Sequence, residues 1–145
     1  MAYNVDWYVE DQVIYAKLVG NVTVQEFRTM MQSGTLMIDS VEIGESHFIF
    51  DFTRLEQLQN FGHMVQAMPK TAPKQMGWLI VVGENSPLKR FWGEAFARVA
   101  PAKFKRYDTI EQALAFLQKQ DPNIVWQYAN PMLLADNWPL LREVD

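Results

Sequence analysis

The stretch Phe48-Ile49-Phe50-Asp51-Phe52-Thr53-Arg54-Leu55-Glu56-Gln57-Leu58-Gln59-Asn60-Phe61-Gly62 decides the fold of this 145-residue chain. From His47 to Phe52 nearly every position is apolar, the mark of a strand covered on both faces. The chain then turns polar, which predicts a loop from Thr53 onward. Asn60 is a good N-cap residue, and Met64, Val65 and Met68 follow it at helical spacing. Pro69 and Pro73 close that short helix. Strand, loop and helix start together make half of a βαβ unit.

Working outward, the same unit recurs. Upstream, Tyr3-Val5-Trp7-Val9 alternates with polar residues, Asp11-Gln12 makes a tight turn, and Val13 to Val19 reads as the antiparallel partner, broken at Gly20-Asn21. Thr23 and Glu26 fit a capping box, and Val24, Phe27, Met31 and Ile38 then follow one helical face. Gly34 lies inside that helix, where it costs about 1 kcal/mol relative to Ala unless a close packing contact requires it. Downstream, Trp78 to Val82 is a buried strand between Gly77 and Gly83. Ser86-Pro87 opens a helix with Leu88, Phe91, Trp92, Phe96 and Val99 on its apolar stripe. Lys103 to Tyr107 alternates charged and aromatic residues, as an edge strand does. Asp108 or Thr109 caps a last helix carrying Ile110, Ala113, Leu114 and Leu117. The order is β-β-α-β-α-β-α-β-α, which predicts an α/β fold with a mostly parallel five-stranded sheet.

This order, and the segment from Asp51 to Gly62 above all, resembles the STAS or SpoIIAA-like domains, the anti-sigma-factor-antagonist family, over residues 3–119. The family signature runs from an apolar strand through Asp-apolar-Ser/Thr and a short loop to Asp-Ser, a small residue and Gly. The resemblance implies a non-enzymatic module that binds other proteins, with a switch serine at the N-terminus of the helix after the central strand. Free backbone N–H groups and the helix dipole favour a phosphate there. In this chain Gln59-Asn60 stands where the family has Asp-Ser, so the switch has no oxygen to phosphorylate. Thr53 matches the hydroxyl at the loop start and Gly62 matches the family Gly. Thr53 offers an alternative phosphosite; its ordinary role is to satisfy loop backbone groups.

Composition narrows the function classes. Net charge is −4, which gives no general pull toward nucleic acid or anionic membrane. The chain has no cysteine, so disulfides, thiolate metal sites and cysteine nucleophiles are excluded. The longest unbroken apolar stretch, Trp78 to Val82, is too short to span a bilayer, and the N-terminal residues do not read as a signal peptide. The expected location is the cytoplasm. Charge is unevenly spread: residues 1–69 hold 3 basic and 9 acidic residues, residues 70–119 hold 9 and 4, and residues 120–145 hold 1 and 4. Opposite-signed segments of this kind can serve a basic face, a self-complementary dimer interface, or simply solvated helix faces.

The domain is expected to span residues 1–120, with a C-terminal extension over 121–145. That extension carries Ile124, Val125, Trp126, Tyr128, Met132, Leu133, Leu134, Trp138, Leu140 and Leu141, too apolar for a solvated tail. Right-handed crossovers place helices on one face of the sheet, yet the middle strands are apolar on both sides. The extension is therefore expected to cover the second face, in its own subunit or a neighbour.

Candidates for chemistry are few. The sequence predicts no metal and no cofactor. His47 and His63 are the only histidines; His47 reads as a partly exposed structural residue, and His63 can line a pocket at the strand ends. Asp51 ends a buried parallel strand, where α/β proteins place ligand contacts; it reads either as a base or as an acceptor of backbone N–H bonds that shapes the loop. The leading expectation is a regulatory protein-binding surface using Thr53, Gln57, Gln59, Asn60, Gly62 and His63. The alternative is a small apolar or anionic ligand held near Asp51, His63 and Asn85 or under the extension.

Overall fold

The computed structural model describes residues 3–136 and Trp138. Its elements run β1 (Tyr3–Val9), β2 (Val13–Val22), α1 (Val24–Asp39), β3 (Ser46–Leu58), α2 (Phe61–Ala67), β4 (Met76–Val82), α3 (Pro87–Val99), β5 (Lys103–Tyr107) and α4 (Ile110–Gln120). Two short 3-10 turns follow, at Trp126–Tyr128 and Pro131–Leu134. The order matches the expected β-β-α-β-α-β-α-β-α. One five-stranded sheet has the order β1-β2-β3-β4-β5. Only the β1–β2 pair is antiparallel; β2–β3, β3–β4 and β4–β5 are parallel. Among the described residues no helix is long and apolar enough to cross a membrane.

The expected local signals set the helix starts. Thr23 Oγ1 accepts the Glu26 N–H while Glu26 Oε1 accepts that of Thr23, a complete capping box. Ser86 caps α3 and Thr109 caps α4. Gly34 earns its place in α1: a Cβ there would lie 2.0 Å from Cε2 of Phe48, so the helix rests its backbone directly on that ring.

Two expectations fail, for one shared reason. β2 does not stop at Gly20-Asn21, and the predicted loop after Phe52 is strand. Val19–Val22 pairs with Arg54–Leu58 across two register shifts, between Lys17 and Val19 and between Gly20 and Asn21. Gly20 adopts φ +69 at the second, as a bulge demands. Each bulge resets which side chain faces inward, so the buried residues Phe52, Leu55 and Leu58 recur every three positions. The period of two that marks a regular strand is lost.

The core has two halves, one on each face of the sheet. Against one face, α1, α2 and α3 pack Phe27, Met30, Met64, Trp92 and Phe96 on Ile14, Phe48, Phe50, Leu79 and Val81. Against the other, Tyr15, Ile49, Ile80 and Val82 meet Ala113 and Leu117 of α4, with Ile124 and Leu133 of the extension. The extension thus covers the second face within its own chain, and α4 shares that task. Leu140 and Leu141 lie outside the described residues. His47, expected to be partly exposed, is 0% exposed: its strand runs under α4 and the extension, where Asp121 and the Trp78 backbone engage both ring nitrogens.

Candidate functional site

Parallel strands expose unpaired backbone at their carboxyl ends, and this is where an open α/β sheet holds its ligands. Here β4 and β5 end at Val82 and Tyr107, level with Asp51 and Lys17 in the adjacent strands. Asp51 does not end its own strand as expected, because β3 runs on to Leu58 paired with β2. Asp51 is not a free carboxylate. Tyr15, two residues before Lys17 on the same face of β2, donates its hydroxyl to Asp51 Oδ2, and the Thr53 N–H donates to Oδ1 at 2.9 Å. Burial, then the charge and hydrogen bond of Asp51, push the Tyr15 phenol far above its ordinary value, so it stays protonated.

Lys17 is buried on this edge. Its ammonium donates to the carbonyls of Ala135, Asp136 and Trp138, at 3.2, 3.1 and 3.3 Å. Burial lowers its pKa, with the Arg54 charge adding to the effect, while Asp136 and Asp51 oppose it. Trp138 packs on Tyr15 with ring centroids 5.8 Å apart. The extension is therefore tied across the strand ends by a cation under three carbonyl dipoles. A pocket of about 160 Å³ remains beneath it, lined by Tyr15, Lys17, Asp51, Thr53, Arg54 and Asp136 among others.

A second knot lies on the other side of β3. The Thr53 carbonyl accepts from Asn85 Nδ2 at 3.2 Å and from Lys89 Nζ at 3.0 Å, and Lys89 also reaches Asn85 Oδ1 at 2.7 Å. Lys89 is buried, which lowers its pKa against the opposing pull of Asp51 and Glu56. Gly83 permits this closeness: at φ +79 its Cβ would stand 2.6 Å from the Thr53 nitrogen. Nearby, buried Glu84 takes a two-pronged bond from Arg106 at 2.8–3.0 Å, which raises the Arg106 pKa.

Asp51, Thr53 and Asn85 thus converge. The other candidates do not join them. Gln57, Gln59, Asn60, Gly62 and His63 are all exposed, beyond the extra strand, which carries Gln57 roughly 20 Å along the chain from Asp51. His63 does not line the pocket at the strand ends. Asn60 departs from its expected role. It precedes α2 but sits at φ 53, ψ 51, and its side chain makes no capping bond; asparagine tolerates the left-handed region better than most residues. A Cβ on Gly62 would meet nothing within 4 Å.

Sequence reading missed Tyr15, Lys17 and Lys89. A signal existed for Lys17: it is the lone charge within the apolar run Val13 to Val19, and such a lysine must find acceptors indoors. Among the described residues, every buried side-chain nitrogen and oxygen has a hydrogen-bond partner.

One cluster has the composition of a metal site. Glu45, His47 and Asp121 bring ligand atoms within 4.8 Å of one another. The imidazole does not fit a cation. His47 Nδ1 accepts the Trp78 N–H at 3.0 Å, so in the neutral ring the proton is on Nε2, facing Asp121 at 2.9 Å. A metal on Nε2 would force the proton onto Nδ1, against the Trp78 N–H.

No protein-family profile and no curated protein matches the sequence. Among solved structures, the chain is similar to an uncharacterized protein of the DUF3478 family from Shewanella loihica PV-4, described as having a SpoIIAA-like fold. Identity is 17%, with a TM-score of 0.54, over 80% of this chain and 92% of that one. The fold is SpoIIAA-like. Within this SpoIIAA-like frame, Asn60 occupies the start of the helix after the central strand, and the Lys17 clasp closes the carboxyl edge of the sheet.

Proposed function

We propose that this chain is a non-catalytic, STAS-like protein-interaction module acting in the cytoplasm, with its docking surface at the end of β3 and the start of α2. One observation carries this reading. Gln59 and Asn60 are exposed at a turn whose backbone is fixed, with the Gln59 N–H on the Val22 carbonyl at 2.9 Å and the His63 N–H on that of Asn60 at 2.9 Å. Amide side chains on a rigid turn suit a constitutive contact, because neither residue can take a phosphate. The engagement of Tyr15, Asp51, Lys17 and Lys89 in one another and in backbone groups supports a structural rather than chemical role for the strand ends. The test is capture of partners from the native organism by the intact protein and by Gln59→Arg/His63→Glu. A specific partner retained by the first and lost by the second is expected; no specific partner, or one indifferent to the change, defeats the reading.

The 160 Å³ pocket under the extension favours a second reading, a small polar ligand rather than an apolar one, because Lys17, Arg54, Asp51 and Asp136 line it. Native mass spectrometry of the purified protein discriminates the two: a bound small molecule that Arg54→Ala releases supports the second.

A further inference from the structure

The opposite edge of the sheet, where the parallel strands begin, holds an open groove of about 680 Å³, within the size of pockets that take small ligands or a few peptide residues. Its walls are the β1–β2 turn, the loop before β3 and the first part of the extension. They are tied together. Gln12 clamps the extension twice, its Nε2 donating to the Asn123 carbonyl and its Oε1 accepting the Val125 N–H, both at 2.8 Å. The Asn130 N–H holds the Tyr8 carbonyl at 2.8 Å. A groove braced in this way needs little ordering on binding.

Three large apolar side chains on its walls stand in water: Ile43 is 89% exposed, Tyr128 68% and Val125 40%. The carboxylates of Glu10, Asp11 and Glu45 are exposed beside them. None of the residues lining the groove is Lys or Arg; Lys103 reaches Glu45 only at 3.6 Å, with both side chains about half exposed. Apolar surface left in water marks an interaction site, and a single sign of charge around it selects the partner.

We propose that this groove docks a short segment of a partner protein in which basic and apolar side chains are mixed. The apolar ones would cover Ile43, Val125 and Tyr128, and the basic ones would meet Glu10, Asp11 and Glu45. This surface is separate from the one at α2 and stands or falls without it.

A random-peptide display library selected on the intact protein, with the winners titrated by fluorescence anisotropy, tests the proposal. Enriched peptides are expected to combine Arg or Lys with large apolar residues. Their affinity is expected to fall at least about tenfold in Glu10→Gln/Asp11→Asn/Glu45→Gln, and likewise in Ile43→Ser/Tyr128→Ser. Asparagine at position 11 suits the φ of +65 there, and circular dichroism checks that each variant stays folded. Acidic or neutral winners, no saturable peptide, or binding indifferent to both variants would overturn it. A sedimentation mass of two chains that drops to one in the acidic-residue variant would overturn it too, by seating a second copy in the groove. Partner capture through Gln59 and His63 is read separately, so either result can fail alone.

Discussion

His47 Nε2 and Asp121 Oδ2 lie 2.9 Å apart, joining the start of the central strand to the residue where α4 gives way to the extension. Asp121 uses both oxygens, since Oδ1 accepts the Asn123 N–H at 3.0 Å. Asp121→Ala strips both acceptors and leaves a buried imidazole N–H unpaired, a loss of about 1–3 kcal/mol. Asp121→Asn keeps one acceptor and should fall between. Urea denaturation of the three proteins at neutral pH checks the order; equal losses for Ala and Asn would show that the hydrogen bonds contribute nothing beyond charge.

Gly34 offers a test with opposing terms. Alanine gains about 1 kcal/mol in helix propensity. Its methyl, however, would lie 2.0 Å from the Phe48 ring, and that ring is fully buried and stacked on Phe50 at 4.2 Å. Overpacking costs about 1–3 kcal/mol, so Gly34→Ala should destabilise on balance. Phe48→Leu in the same chain should recover part of the loss, and a double-mutant cycle measures that coupling.

The Tyr15 phenol predicts an alkaline limit. Its pKa is raised above the model-compound value of 10.0, by burial first and then by Asp51. Above pH 10 the unfolded chain releases this proton while the folded chain keeps it, so stability falls as pH rises. Tyr15→Phe should be less stable near neutrality, because Asp51 Oδ2 loses its donor, and should lose less than the wild type on moving above pH 10. The gap between the two therefore narrows with rising pH. Tyr8, also raised by burial, is common to both proteins. Urea midpoints across the alkaline range check this, and a gap that stayed constant would contradict it.

The element order was legible because most elements carry one clear period or one clear cap. Phe48 to Phe52 is unbroken apolar strand, Thr23 with Glu26 is a complete capping box, and Ser86-Pro87 announces α3. What hid was non-local. The strand from Thr53 to Leu58 exists because Val19–Val22 lies beside it, and its bulges erase the period of two. The site divides the same way. Asp51, Thr53 and Asn85 could be grouped as candidates from position alone, although β3 runs on past the first two. Lys17, by contrast, meets an extension more than 110 residues away in sequence, and Tyr15 meets Asp51 36 residues away. The apolar run around Lys17 marks it as inward-facing, but nothing local says which acceptors it meets.

The extension itself should decide whether the chain folds. Ile124 and Leu133 are buried against the second face, and burying two such side chains is worth about 3–6 kcal/mol. A domain of this size has about 5–15 kcal/mol in total. Deleting residues 121–145 would also expose Tyr15, Ile49 and Ile80, so aggregation or failure to fold is expected; a truncated protein that stayed soluble, monomeric and equally stable would refute that role. Lys17→Met tests the clasp without removing the cover. Methionine keeps the apolar stem but removes the ammonium from the carbonyls of Ala135, Asp136 and Trp138, leaving Ala135 with the Trp138 N–H at 3.1 Å and Asp136 with Arg54 Nη1 at 3.4 Å. The loss of three charge-assisted bonds loosens the extension there, while the Gln12 clamp on Asn123 and Val125 persists. Hydrogen exchange should therefore quicken locally from Leu133 to Asp136 and stay unchanged around Val125. Uniform exchange along the whole extension would show that it opens as one piece and that Lys17 is no separate fastening.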